Sequence, residues 1–212
     1  MLEFNFDKVT NILCLGAHSD DIEIGCGGTI LKLIRERPKL NVWWVVFSAD
    51  GKRRDEARSG ARAFLGGVAR KKVIVKRFKT SFFPYQGSQI KKYFETLKTS
   101  MEPDIVFVHH REDRHQDHRF LCELAWNTFR NHLILEYEIP KYDGDLGAPN
   151  LFVRLDQTTA RRKVGQLRKS FRTQKNKHWF SEDTFLGLMR LRGVECSSKY
   201  AEAFYCRKMV CD

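Results

Sequence analysis

The stretch Asn11-Ile-Leu-Cys-Leu-Gly-Ala-His-Ser-Asp-Asp-Ile-Glu-Ile-Gly-Cys-Gly-Gly28 begins as a short apolar run and breaks into imidazole and carboxylate. Residues 12–15, bounded by Gly16, read as a buried β-strand. His18, Ser19, Asp20 and Asp21 end it, glycines follow at 25, 27 and 28, and an amphipathic run occupies 30–35. One imidazole and two carboxylates therefore sit at the carboxyl end of a strand, just ahead of a helix. In open α/β sheets ligands bind at that place, and histidine and carboxylate both suit zinc. A single Asp there reads equally well as a helix cap. Capping does not explain an adjacent pair of acids beside a histidine.

Outward from this stretch, strands and helices alternate. A helix over 28–36 stops before Pro38. Residues 41–47 are too apolar for a half-exposed strand and read as a buried one. A helix over 54–65 is ended by Gly66-Gly67. A strand over 72–78, a loop over 80–87 and a helix over 89–98 that Ser88 can cap lead to a fourth strand at 105–108. This order predicts an α/β fold: a Rossmann-like three-layer sandwich whose mostly parallel sheet has helices on both faces. Past residue 130 the pattern loosens. It gives a strand at 133–137, a loop at 138–149 and a basic helix at 160–172 capped by Asp156 or Thr158. A short helix at 184–192 and a last strand at 203–210 follow. With 212 residues and no repeat, low-complexity tract or linker, the expectation is one domain over 1–212.

Composition narrows the class. A charged fraction of 30% and an aromatic fraction of 12% suit a soluble globular chain. No apolar run is long enough for a transmembrane segment, and the N-terminus lacks the basic and apolar regions of a secretory signal, so the expected compartment is cytoplasmic. The six cysteines contain no C-x-x-C pair and read as reduced thiols. A formal charge of +12 permits nucleic acid, an anionic membrane or a phosphorylated substrate. No nucleic-acid-binding signature is present, and the basic residues are spread along the chain, so nucleic acid is not expected as a partner.

A second polar cluster follows the fourth strand: His109-His-Arg-Glu-Asp-Arg-His-Gln-Asp-His118. Four of the chain's seven histidines fall within these ten residues. In the common strand order 3-2-1-4, strands one and four are neighbours at the topological switch point. The two clusters then share one cleft, bringing His18, Asp20, Asp21, His115 and His118 together. Two histidines and one carboxylate leave a position open on a four-coordinate zinc, the catalytic pattern. The remaining carboxylate can serve as a base and the remaining histidine can donate to an oxyanion.

Ala17-His-Ser-Asp-Asp21 resembles the A-H-P-D-D motif of the LmbE-like, or PIG-L, zinc deacetylases, and His115-Gln-Asp-His118 resembles their H-P-D-H. Gly27-Gly28, Arg53-x-x-Glu56 and Ala201-Glu-Ala-Phe204 are further echoes. The resemblance implies removal of N-acetyl groups from amino sugars or related amides. It implies His18, Asp21 and His118 as metal ligands, with zinc or another divalent metal as cofactor. Asp20 matches the general base, His115 the residue that steadies the oxyanion, and Asp117 the partner that orients its ring. Ser19 and Gln116 stand where the family usually has proline. The segment Ser48-Ala-Asp-Gly51 lacks the T-x-G-E-x-G pattern of many members, which leaves substrate identity open. The expected partner is a small N-acetylated amino sugar, free or carried on phosphate, nucleotide or lipid; the oligomeric state stays open.

Two rival readings stand beside this one: a non-catalytic metal- or nucleotide-binding Rossmann-like protein, and a zinc amidase for a thiol–sugar conjugate. Gly25-x-Gly27-Gly28 is a poor dinucleotide fingerprint and reads better as close helix–sheet packing. Arg53 reads as a substrate contact or a solvated side chain. Phe82, Phe83 and Tyr85 read as a pocket wall or as packing within their loop. Tyr137 and Tyr142 are weak candidates for an oxyanion contact, and 161–177 reads as a solvated basic face.

Overall fold

The computed structural model describes residues 3–210. Seven strands form one sheet: β1 (Asn11–Gly16), β2 (Asn41–Val46), β3 (Arg70–Val75), β4 (Ile105–His109), β5 (Leu133–Tyr137), β6 (Leu151–Leu155) and β7 (Tyr200–Cys206). The helices are α1 (Asp21–Glu36), α2 (Gly51–Phe64), α3 (Gly87–Ser100), α4 (Gln116–Thr128), α5 (Gln157–Ser170) and α6 (Glu182–Glu195). The strand order is β3-β2-β1-β4-β5-β7-β6. The first five strands pair in parallel and β7 runs antiparallel to both β5 and β6. The expected 3-2-1-4 order and the mostly parallel α/β sandwich are thus present.

Alternate residues of the central strands feed two cores. Ile12, Cys14, Trp44 and Phe107 face α1, α2 and α5, whereas Leu13, Leu15, Val106 and Val108 face α3 and α4. Both faces being buried explains why these strands read as unbroken apolar runs.

Three local readings are corrected. α1 starts at Asp21 rather than at residue 28, because Asp20 N-caps it and the Ile24 amide bonds back to the Asp20 carbonyl at 3.0 Å. β6 had no counterpart in the sequence reading. It is a short edge strand whose Arg154 points out, so five residues carry little alternation. β7 lies over Tyr200–Cys206 instead of 203–210, pinned by register to β6 through pairs from Phe204–Leu151 to Tyr200–Leu155.

The glycines of α1 are packing residues. A Cβ on Gly25 would lie 2.1 Å from the Tyr137 ring, and one on Gly27 2.5 Å from Phe64. The helix thereby lies close on the sheet and on α2, and its first turn is held over the ends of β1 and β4.

Candidate metal centre

β1 and β4 are hydrogen-bonded neighbours, with Ile12 opposite Ile105 and Cys14 opposite Phe107. Their carboxyl ends therefore open side by side. His18 follows β1, and Asp20 and Asp21 start α1. His109 ends β4, and His115 and His118 belong to the N-cap and first turn of α4.

Three donor atoms form a tight triangle. His18 Nδ1 lies 3.1 Å from His118 Nε2 and 3.4 Å from Asp21 Oδ2, and Asp21 Oδ2 lies 3.6 Å from His118 Nε2. Ligands about 2.0–2.1 Å from a tetrahedral zinc are separated by roughly 3.3 Å, so the triangle fits that ion. Each imidazole turns its other nitrogen to a carboxylate: His18 Nε2 to Asp117 Oδ2 at 3.2 Å, and His118 Nδ1 to Asp113 Oδ2 at 2.9 Å. Metal-binding histidines are held in this way, which fixes ring orientation and raises donor strength. Two wider groups, His18–His115–His118 and Asp21–His109–His118, also keep their donor atoms within 4.8 Å. In the second group, His109 Nε2 is shared among Asp21 Oδ2 at 3.2 Å, the Ala17 amide at 3.0 Å and the Tyr137 hydroxyl at 3.3 Å. His109 thus packs beside Asp21.

Charge follows the geometry. Burial alone disfavours a charged His18, but the Asp21 and Asp117 carboxylates outweigh it and raise the ring's pKa to about 9. The same carboxylates make the triangle a place that favours positive charge. Burial opposes ionisation of Asp21, yet His118, His109 and His18 hold its pKa well below the usual carboxylate range. His118 is driven down to about 3 by burial and by neighbouring His109, so its ring is neutral, as a ligand must be.

Asp20 is buried beside the triangle and outside it. Its Oδ1 accepts from Arg53 Nη2 at 2.8 Å, while Arg53 Nε donates to Ser19 Oγ at 2.7 Å. Burial raises the proton affinity of Asp20, with Arg53 offsetting part of that rise. Burial and the charge of His18 lower the pKa of His115. As N-cap of α4, His115 accepts the Asp117 amide proton on Nδ1 at 3.2 Å. In the neutral ring this leaves Nε2 to carry the proton.

The structure brings all six expected site residues together, with one partnership rearranged. The Asp117 carboxylate does not reach the His115 ring. It accepts from the Ser81 and Phe83 amides at 2.6 and 3.0 Å and holds His18; the backbone amide of Asp117 meets His115 instead. Residue order pointed to the near ring, since His18 reaches Asp117 from the loop after β1, 99 residues away in sequence.

A cleft of about 380 Å³ opens over the site. Arg53 and Tyr142 line it; Tyr137 is buried with its hydroxyl on the Leu15 carbonyl at 2.7 Å, and Phe83 is core. Phe82 and Tyr85 are exposed away from the cleft lining. The sequence reading gave no role to Asp113, whose place five residues before His118 was the available signal. It also missed Lys141 and Trp179 in the cleft lining, which carry no motif, and read Gln174 and Lys177 as part of a solvated basic face.

The PIG-L family model, described as GlcNAc-PI de-N-acetylase, matches residues 13–129. The chain belongs to the PIG-L family. YaiS of Escherichia coli K12, an uncharacterized deacetylase, is 26% identical over 144 residues, spanning 63% of this chain and 76% of its own. Among solved structures, the N,N'-diacetylchitobiose deacetylase of Pyrococcus horikoshii superposes with a TM-score of 0.69 at 21% identity, over 94% of this chain and 84% of that one. GalB, the 4-carboxy-2-hydroxymuconate hydratase of Pseudomonas putida, superposes with a TM-score of 0.73 at 15% identity, over 96% and 98%. At these identities the superpositions establish a shared fold. Among the described residues, no helix is long and apolar enough to cross a membrane.

Proposed function

We propose that this PIG-L family member is a zinc-dependent hydrolase that removes an N-acetyl group from an N-acetylated amino sugar or sugar conjugate. The observation that carries this reading is a three-atom ligand triangle with a buried, unligated carboxylate beside it. His18, Asp21 and His118 would hold the metal; iron or cobalt suits the same donors. When bound, the metal supplies a Lewis acid that polarises the amide carbonyl and acidifies the attacking water.

The protein's own groups supply the rest. Asp20 takes a proton from the attacking water and returns it to the departing amine. Its raised proton affinity suits both halves of that exchange. Arg53 keeps the Asp20 carboxylate from swinging into the ligand triangle. His115 donates its Nε2 proton to the oxygen that gains charge, and the Asp117 amide holds the ring in the tautomer that allows this. Asp117 and Asp113 keep the two ligand rings aimed.

The two adjacent aspartates separate the roles. Asp20→Asn is expected to retain metal and to lose roughly 10²–10⁴-fold in kcat, the worth of a general acid/base. KM should move little, as for an interaction made in the transition state. Asp21→Asn is expected to lose metal and activity together. Metal content measured beside kcat for both variants checks this; metal loss in Asp20→Asn with retention in Asp21→Asn would exchange their roles.

A further inference from the structure

The far wall of the cleft is built from residues beyond the 13–129 match, on the segment between α5 and α6. This segment is anchored. Glu56 of α2 accepts from the Thr173 amide at 2.8 Å and from its hydroxyl at 2.6 Å. The anchor presents Gln174, Lys177 and Trp179 to the cleft that holds His18 and Asp20.

The cations of this lining differ in how far they are already engaged. Arg53 is engaged by Asp20, and Lys141 is engaged by Asp113 at 3.0 Å and by Asp145. Among the described residues, Lys177 forms no ion pair; its ammonium lies 5.7 Å from the Trp179 ring centre. Trp179 is half-buried and lines the cleft. Gln174 is 2% exposed, and its Oε1 has no hydrogen-bond partner. Asp50 and Asp143 also line the cleft, so within it the pairing site for an anion centres on Lys177.

We infer that Lys177 and Trp179 form a subsite for an anionic sugar, and that the substrate is an acetamido sugar bearing a phosphate or carboxylate. The inference rests on the hydrolase reading above and narrows its substrate class. Trp179 offers an apolar platform for one face of a pyranose ring, and Lys177 pairs with the charged substituent.

The test is calorimetric binding of N-acetylglucosamine, N-acetylglucosamine 6-phosphate and the corresponding 6-uronic acid to the metal-loaded full chain. The expected result is about fivefold tighter binding of both charged sugars than of the neutral one, the size of an exposed ion pair. Lys177→Met should abolish that preference and leave the neutral sugar unchanged, whereas Trp179→Ala should weaken all three. Equal affinity for charged and neutral sugars, no binding of any, or a preference that survives Lys177→Met as anion attraction to the metal would, overturns the subsite. Acetate release from the same sugars is scored separately. Binding as expected without acetate release refutes the hydrolase reading and keeps the subsite. Acetate release from all three with equal affinities refutes the subsite alone.

Discussion

Asp117 and Asp113 are the residues on which the site's precision depends. Each takes the outward nitrogen of one ring of the triangle, and each is itself held: Asp117 by two backbone amides, Asp113 by the His115 amide at 2.8 Å and by Lys141 at 3.0 Å. Loss of such a partner typically costs about 10- to 100-fold in metal affinity. Asp117→Asn and Asp113→Asn should each weaken metal binding by about that factor in a chelator competition titration. His115→Ala should leave affinity unchanged while lowering kcat, since its ring is committed to the cleft. An equal loss of metal in His115→Ala would place His115 among the ligands. At this scale the sequence was informative about chemistry and silent about pairing. His18, Asp20, Asp21, His115 and His118 could be placed in one cleft from strand order. Which carboxylate meets which ring depends on side-chain torsions that spacing does not specify.

At the scale of elements, two packing arrangements hold the clusters in place. α1 lies against Tyr137 through Gly25, where an added Cβ would sit 2.1 Å from the ring. Gly25→Ala should therefore destabilise the fold by about 1–3 kcal/mol through overpacking, outweighing its helix-propensity gain of about 1 kcal/mol. Urea denaturation checks the sign. The turn between β4 and α4 is tied to Glu136 of β5, whose carboxylate is met by His110 Nδ1 at 3.0 Å, the Arg111 amide at 3.1 Å, Trp126 Nε1 at 2.8 Å and Arg207 Nε at 3.0 Å. Burial opposes its charge, but His110, the Arg111 amide and Arg207 outweigh it and bring its pKa down to about 2. A carboxylate depressed in the fold stabilises above its unfolded pKa, and that stability is lost as pH falls through the folded one. Glu136→Gln should thus cost roughly 3 kcal/mol at pH 7. The gap to the parent protein should close between about pH 4.5 and pH 2, as followed by denaturation at several pH values. A gap independent of pH would contradict it. The strand–helix alternation through β5 was legible because β1, β2, β4 and β5 are largely buried on both faces. β6 was not, since an edge strand with an outward arginine has little apolar pattern to read. The wall at 174–179 escaped for another reason: its position is set by Glu56, more than 110 residues upstream, through contacts at Thr173.

For the whole molecule, the fold limits where chemistry can occur and leaves open which chemistry it is. The P. horikoshii deacetylase and the P. putida hydratase share this sheet and its helices. Function has to be argued from the site. Here the open end of the sheet brings together the His18–Asp21–His118 triangle, the buried Asp20 carboxylate and the His115 ring. A net charge of +12 adds long-range attraction for anions. Turnover of a phosphorylated acetamido sugar should accordingly fall more steeply with added salt than that of its neutral counterpart; equal slopes would reduce the charge to a solvated surface. The most direct measurement on the central claim is acetate released per amine formed from N-acetylated amino sugars, by the zinc-loaded protein and after chelation. Acetate and free amine in equal amounts, lost on chelation and restored by zinc, is the result the site predicts. Undiminished release from the chelated protein, or turnover that leaves the amide intact, would contradict it.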